Sequence, residues 1–292
     1  MIVANPYLGY QALKVETHLH TLHSDGRHSV SAMFEACHSA GYDAVALTDH
    51  NTLSGLAEAV DAADRLGLVC VPGVEVTTFH GHAVVLGIPR VPEWRDLETR
   101  GIDALADDVH AEGGLLCVAH PAALGSPVCS GCAWGWPVQP TSVDLWEVAS
   151  APRPNFEVAL ALWSKLLAAG APAAPVAAGD VHSTSAAAHH KVSTYVYVRE
   201  RSAAGVIEGL RQRRVFASAG PRLDFWLEDD SGNLGLVGSR VASSSWTARL
   251  SAPAMVRAVE VPGGGRCLYA EQRDAAQQLE AISAPIWIDS SH

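Results

Sequence analysis

Strand-like and helix-like segments alternate along the first two thirds of this chain of 292 residues. The short apolar runs at residues 44–48 and 115–119 have the length of buried strands. Residues 29–40 instead place apolar side chains at positions i, i+3, i+4 and i+7, and Gly41 follows as a typical residue after a helix C-terminus. Repeated alternation of this kind predicts a parallel sheet or an α/β barrel, with functional side chains at the carboxyl ends of the strands.

The pattern changes after residue 220. Short strand-like segments between Gly, Ser and Asp turns replace the alternation, for example at residues 223–227 and 256–261. We therefore predict an α/β barrel over residues 1–220 and a small β-rich appendage over residues 221–292. The sequence leaves open whether the appendage is a lid, a dimer contact or a packing element.

The composition argues against several classes of partner. The formal net charge is −11, whereas extended nucleic-acid binding requires a basic surface. No apolar run approaches the roughly 20 residues needed to span a bilayer, and the N-terminus lacks the features of a signal peptide. Cys129 and Cys132 form an isolated CxxC motif without the second ligand pair that structural zinc needs. We expect a cytoplasmic protein that binds neither membranes nor extended nucleic acid; its oligomeric state is open.

Histidines and acidic residues recur where the predicted strands end. His18 and His20 are two positions apart, so on a strand both rings face the same side and can reach one ion. Glu75 lies in an otherwise apolar strand, where a carboxylate needs a cation or a hydrogen-bond donor, and it can bridge two ions. The other residues of this kind are Asp49, His50, His80, His82, His120, Asp180 and His182. Mixed imidazole and carboxylate ligands suit divalent ions, so the pattern predicts a metal-dependent hydrolase.

Five segments, in chain order, resemble the signatures of the polymerase and histidinol phosphatase (PHP) superfamily. They read HLHTLHSDG, ALTDHNT, PGVEV, VAHP and AAGDVHS. Further details are similar to its CehA/McbA-type branch: SDGRHSV within and after the first motif, Gly-His before the strand AVVLG, then TYVYV and GPRL. The resemblance extends over residues 15–220. It implies an α/β fold built as a distorted (β/α)7 TIM-like barrel and the activity of a metal-dependent phosphoesterase.

The resemblance also implies how the ligands are shared among two or three divalent ions, for which zinc, manganese and iron are all suitable. The implied ligands are His18, His20, Glu75 and Asp180 for the first ion, Glu75, His82 and His120 for the second, and Asp25, His50 and His182 for the third. If the third site is empty, its residues would contact substrate. His82 is preferred over His80 because it directly precedes the strand AVVLG, although strand alternation puts both on one face. Asp49 is interpreted as a residue that orients a neighbouring ligand.

Two positions depart from the family pattern. The family often has Asn-Gly soon after the glutamate that corresponds to Glu147, whereas this chain has Val148, Ala149 and Ser150 there. Asp25 stands where some trinuclear relatives have histidine. The first difference concerns substrate contacts, and the second concerns occupancy of the third metal site.

We therefore expect hydrolysis of a small phosphorylated substrate, a monoester or diester such as a nucleotide or sugar phosphate, by a metal-activated hydroxide. Glu75 would bridge the ions, and His50 or His182, if not fully engaged by metal, would protonate the leaving oxygen. The candidate cations for binding phosphate are Arg27, Arg153 and Lys191. Two alternatives stay open: a metal-dependent hydrolase of an amide, ester or carbamate bond, and a metal-binding regulatory module with little catalysis.

Overall fold

The computed structural model describes residues 5–150, 156–189, 192–242 and 245–290. Within these ranges most strands belong to one sheet of 14 strands. Its strands in the first part of the chain are β1 (Gln11–Glu16), β2 (Ala44–Leu47), β3 (Val69–Thr78), β4 (Gly81–Leu86), β5 (Leu115–Val118), β6 (Leu145–Ser150), β7 (Ala174–Ala178), β8 (Ser193–Val198) and β9 (Val215–Ser218). The helices are α1 (Val30–Ser39), α2 (Leu56–Leu66), α3 (Leu97–Arg100), α4 (Ile102–Ala111), α5 (Phe156–Ala168), α6 (Thr184–His189) and α7 (Ala203–Arg211).

The large sheet curls back on itself to form a distorted barrel. Strands β1, β2 and β3 run parallel, and so do β5, β6 and β7. Thr194 of β8 accepts a hydrogen bond from the Ala177 N–H and donates one to the Ala177 carbonyl, both at 2.8 Å. These bonds bring β7 beside β8, which pairs with β1. The predicted α/β barrel is confirmed in this form.

The sheet departs from the predicted parallel order at β3 and β4. Only Phe79 and His80 join these two strands, and β4 pairs antiparallel with both β3 and β5. A parallel connection needs a dozen or more residues, so the two-residue link forces a hairpin. The hairpin places the start of β4 next to the end of β3, which matters for the site described below.

Local sequence sets the limits of the helices that cover the sheet. The Ser29 hydroxyl accepts a hydrogen bond from the Ala32 N–H at 3.3 Å and so caps α1. Helix α1 buries Met33 and Phe34 against the sheet, as its periodicity predicts. Helix α2 ends at Gly67, whose φ of 68° is a left-handed conformation that glycine adopts without a steric penalty.

The C-terminal part is rich in strands, as predicted. The strands are β10 (Phe225–Asp229), β11 (Leu234–Leu236), β12 (Arg240–Val241), β13 (Trp246–Leu250), β14 (Met255–Glu260), β15 (Arg266–Arg273), β16 (Leu279–Ser283) and β17 (Ile286–Ile288). Strands β10, β11 and β13 form a separate small sheet, whereas β16 pairs with β9 and extends the large sheet into the C-terminal part. The division at residue 220 stays a prediction. Of the helices in the described ranges, none combines the length and apolar character needed to cross a membrane.

Candidate metal centre

Two backbone links bring the motif segments together at one end of the barrel. Residues 17–20 continue beyond β1 as an extended arm, and Leu19 of this arm pairs with Val181 just beyond β7. His50, just beyond β2, pairs in the same parallel manner with Glu75 of β3. The motif residues therefore lie close together at the carboxyl ends of the strands, where the active sites of α/β barrels are found.

The Glu75 carboxylate lies at the middle of this group of side chains. It is fully buried. Its Oε2 atom is 3.1 Å from Nε2 of His18, 3.1 Å from Nε2 of His20 and 3.0 Å from Nδ1 of His50. One carboxylate oxygen thus faces three imidazole rings, as a bridging ligand would.

The second oxygen of Glu75 faces two further rings and distinguishes His82 from His80. Glu75 Oε1 is 2.9 Å from Nδ1 of His82 and 3.1 Å from Nε2 of His120. His80 lies instead at the exposed turn of the β3–β4 hairpin, where its Nε2 atom is 3.1 Å from Oε2 of Glu98. The hairpin therefore places His82 at the cluster and leaves His80 outside it.

Two more carboxylates complete the cluster. Oδ1 of Asp180 is 3.5 Å from Nε2 of His18 and 3.3 Å from Nε2 of His20. Oδ2 of Asp25 is 3.2 Å from Nε2 of His182. Asp180 is largely shielded, whereas Asp25 lies at the solvent side with 56% of its side chain exposed. The cluster therefore has a buried part and an open part.

Four overlapping groups of side chains offer ligand atoms that lie within 4.8 Å of one another. They are His18, His20 and Asp180; His18, Glu75 and His120; His50, Glu75 and His82; and His20, Asp25, His50 and His182. All nine residues that the resemblance assigns to metal are thus brought together. His18, His20 and His50 each belong to two groups, so the sharing differs from the implied scheme at these three rings. Which residue binds which ion stays a prediction.

Several buried atoms of the cluster make no hydrogen bond with any described residue. They are Nε2 of His18, Nε2 of His20, Nε2 of His82 and Oε2 of Glu75. Three of these atoms face one another at 3.1 Å without forming a hydrogen bond, and a buried polar atom that lacks a hydrogen bond costs about 1–3 kcal/mol. A divalent cation would satisfy imidazole and carboxylate lone pairs at once, and this donor set fits zinc, manganese or iron.

Glu147 holds two of the candidate ligands in position. His18 donates from Nδ1 to Glu147 Oε1 at 2.9 Å, and the His120 backbone N–H donates to Glu147 Oε2 at 2.6 Å. The His120 ring in turn donates from Nδ1 to the Cys132 carbonyl at 3.2 Å. These bonds place the ring protons on Nδ1 and leave Nε2 of both rings for metal. Sequence reasoning missed these roles because the partners are distant in the chain.

Asp49 fixes the loop that carries Asp25. It accepts hydrogen bonds from the Thr21 N–H at 2.7 Å, the Thr21 hydroxyl at 2.7 Å and the Ser24 hydroxyl at 2.5 Å. Its side chain is buried. Asp49 therefore orients a neighbouring candidate ligand and is not itself among the clustered groups.

The rings and carboxylates shift one another's pKa values in opposite directions. Burial would lower the pKa of His20, but the carboxylates of Asp180 and Glu75 outweigh it and raise the pKa to about 9. Burial also opposes the charge on His18, yet Glu75 raises its pKa well above the usual value. Burial would raise the pKa of Glu75, and the surrounding rings instead hold it well below the usual range. Without metal, His18 and His20 therefore favour the protonated form at neutral pH, and a bound ion must displace their protons.

One of the three candidate phosphate-binding cations lies at the cluster. Arg27 lines the cavity together with Asp25 and His182, and its backbone N–H donates to the His182 carbonyl at 2.9 Å. Its side chain is exposed to solvent. Arg153 and Lys191 lie outside the described residues.

A cavity of about 610 Å³ opens onto the cluster. Asp25, Arg27 and His182 line it beside the clustered rings, and a set of apolar residues forms much of the remainder. Cys129 and Cys132 are joined by a disulfide bond, and both line this cavity. The isolated CxxC motif is therefore part of the wall of the site.

Comparison with known proteins agrees with the motifs. Residues 16–120 match the family model of the PHP domain. The chain's assignment to the CehA/McbA-type branch stays a prediction. A structure from Bacteroides vulgatus, described as a two-domain protein containing a predicted PHP-like metal-dependent phosphoesterase, superposes with a TM-score of 0.60 at 18% identity. The superposition covers 95% of this chain and 96% of that protein, and it confirms the fold over both parts of the chain.

Curated relatives match over shorter segments. A 5'-3' exoribonuclease from Haemophilus influenzae is 35% identical over 65 residues, which is 22% of this chain and 24% of that protein. A 3',5'-nucleoside bisphosphate phosphatase from Chromobacterium violaceum is 37% identical over 78 residues, which is 25% of this chain and 27% of that protein. The matched segments span about a quarter of each relative.

Proposed function

We propose that the protein is a metal-dependent phosphoesterase that hydrolyses a small phosphorylated substrate. The observation that carries the proposal is the Glu75 cluster, in which five imidazole rings lie within 3.1 Å of one buried carboxylate. The PHP domain supports it, and so do the names of the two matched relatives, a phosphatase and an exonuclease, which both act on phosphoesters.

Within this proposal the cluster binds two or three divalent ions. Glu75 would contribute to two of the positions, because its two oxygens face different sets of rings. His18, His20 and Asp180 complete the most buried position. His82 and His120, which both face Oε1 of Glu75, would complete the second. Asp25, His50 and His182 lie in one group with His20 and would form the open position.

When bound, divalent ions lower the pKa of water and neutralise charge on phosphoryl oxygens. The chain's own residues arrange the reactants around that chemistry. Arg27 lies at the open end of the cluster, where its guanidinium can hold a phosphoryl oxygen. His182 and His50 are partly exposed, at 33% and 24% of their side chains, so if the open position holds no ion either ring can deliver a proton to the leaving oxygen. The buried rings lack this access to substrate.

Two features favour a small phosphoester over the other substrates. The site is a bounded cavity, and the net charge of −11 opposes the approach of a long polyanion. Arg27 supplies a cation beside the cluster, which a phosphoester requires and a neutral amide, ester or carbamate does not. The carbonyl hydrolase alternative therefore receives less support from the described residues.

The test is hydrolysis of bis-p-nitrophenyl phosphate, p-nitrophenyl phosphate and p-nitrophenyl acetate by chelator-stripped protein to which manganese or zinc is returned. We expect metal-restored release from at least one phosphate, and its loss in His18→Ala. His80→Ala is the matched control, because His80 is exposed and lies outside the cluster. Release from the acetate alone, or normal phosphate turnover in His18→Ala, would contradict the proposal.

A further inference from the structure

The cavity above the cluster is uneven in polarity. Its charged and titratable lining residues either belong to the cluster, contact it, as Glu147 does, or supply the single cation Arg27. The rest of the described lining is uncharged. Among the described residues, a ligand that fills the cavity would therefore meet charge at the metal centre and little charge elsewhere.

The uncharged part of the cavity lining comes from neighbouring segments of the fold. It is formed by the loop after β5, by β6 and by the first residues of α5, and β5 pairs with β6. We call this surface the apolar wall. Its residues are Pro121, Ala122, Ala123, Val148, Phe156 and Ala159.

The disulfide extends the apolar wall without adding an ionisable group. Cys129 and Cys132 line the same cavity and lie in the loop that contributes Ala122 and Ala123. Joined to each other, the two sulfurs present a soft apolar surface instead of thiols. The hydroxyls in the described lining are those of Ser150 and Ser183, so few groups could replace water around a polar ligand.

The side chains of the apolar wall are mostly small, so they also leave space in the cavity. Ala122, Ala123 and Ala159 are small, and Val148 stands in the segment where the family often has Asn-Gly. The ring of Phe156 is the one large group in the described wall. The space beside the cluster is therefore shaped for an apolar group of several carbon atoms.

We propose that the substrate is a phosphoester of an apolar alcohol, and that its organic group lies against the apolar wall while Arg27 and the metal centre hold the phosphoryl group. This inference rests on the proposed phosphoesterase function and narrows its substrate class. The transfer of an apolar organic group from water to contact with the apolar wall is favourable. The hydroxyls of a glycerol or sugar group would leave water without gaining equivalent hydrogen bonds.

Two substrates of matched size test the preference. Pentyl phosphate and glycerol 3-phosphate are phosphate esters of pentanol and glycerol, and each of these alcohols has six non-hydrogen atoms. The corresponding methyl diesters replace them if the protein prefers diesters. We expect kcat/KM of the manganese-loaded protein to be at least about tenfold higher for the pentyl compound, since apolar groups in fitted pockets gain that much or more. Equal values for the two substrates would overturn the inference.

Filling the wall should reduce the preference. Ala159→Leu projects a larger side chain into the cavity, and we expect the pentyl-to-glycerol ratio of kcat/KM to fall by about threefold or more, as expected for loss of one or two buried methylenes. Ala161→Leu is the matched control, because Ala161 is exposed on the same helix. Ala123→Leu in the loop provides a second test if Ala159→Leu does not fold. An unchanged ratio in folded wall variants would count against the inference.

A binding measurement separates this inference from the proposed function. Calorimetric titration with pentylphosphonate and 2,3-dihydroxypropylphosphonate compares the two organic groups without any turnover. We expect pentylphosphonate to bind more tightly. If it does so but no phosphoester is hydrolysed, the preference for an apolar group is supported and the proposed phosphoesterase activity is contradicted. Hydrolysis of both esters with equal phosphonate affinities keeps the phosphoesterase and overturns the apolar substrate. Failure of both phosphonates to bind would contradict both.

Discussion

Replacing Glu147 by glutamine is a strict test of how the metal ligands are held. Both partners of its carboxylate are donors, the His18 Nδ1–H at 2.9 Å and the His120 backbone N–H at 2.6 Å. A glutamine has one acceptor oxygen, so one of these donors loses its acceptor in either orientation of the amide. If the amide nitrogen faces His18, the ring must move its proton to Nε2, the atom that points at Glu75.

The magnitude follows from these two contacts. Hydrogen bonds to charged groups contribute about 1.5–3 kcal/mol, neutral ones about 0.5–1.5 kcal/mol, and a buried donor left unpaired costs about 1–3 kcal/mol. The variant should therefore lose a total of roughly 2–3 kcal/mol from its free energy of unfolding and its free energy of metal binding. We expect metal affinity to fall by about 10- to 100-fold, the usual effect of removing a partner that orients a metal ligand.

The assay is competition for manganese or zinc against a chromophoric chelator, with circular dichroism to confirm folding. Glu98→Gln is the matched control, since Glu98 also pairs with a histidine, His80 at 3.1 Å, but at the exposed surface. The control should bind metal as the unmodified protein does. A folded Glu147→Gln protein with unchanged metal affinity would refute the reasoning.

The remaining expectations concern pH, metal removal and phosphate binding. In metal-free protein, the raised pKa of His20, about 9, contributes stability that is complete below about pH 6.5 and is lost as the pH rises through 9. Urea unfolding at pH 6 and pH 9.5 should show this loss, whereas metal affinity should increase over the same interval because the proton no longer competes. Metal at about 100 times its Kd should add about 2.7 kcal/mol to the unfolding free energy, and denaturation with and without chelator measures this; no difference would argue against metal bound to the folded state. Arg27→Gln should lower kcat/KM for phosphate substrates by about fivefold or more, through loss of a charged hydrogen bond, while Arg95→Gln, whose arginine lies outside the cavity, should not.

Local sequence was sufficient for much of the fold and for several residues of the cluster, whereas Asp25 and the choice of His82 came from the resemblance to the PHP superfamily. The 3.6-residue period over α1 and the glycine after α2 set those helices, because helix limits depend on neighbouring residues. His18 and His20 pointed to metal because their spacing puts both rings on one strand face, and Glu75 did so because a carboxylate within an apolar strand is costly without a partner. These inferences needed only short-range geometry.

Other features depend on contacts between distant segments and could not be predicted. The partnership of Glu147 with His18 joins residues 129 positions apart. The pairing of β16 with β9 likewise joins segments that are distant in the chain. The hairpin at Phe79 and His80 was visible in the spacing, but the repeated β-α pattern favoured a parallel order. Long-range pairing is set by packing, which the local pattern does not encode.

Anomalous diffraction from crystals of the manganese-loaded protein tests the central claim most directly. We expect two or three anomalous peaks at coordination distance from the cluster, with two of them sharing the Glu75 carboxylate. His82 should contribute to a peak and His80 should not. Ordered crystals of loaded protein in which no peak lies beside Glu75 would contradict the metal centre, and with it the proposed phosphoesterase.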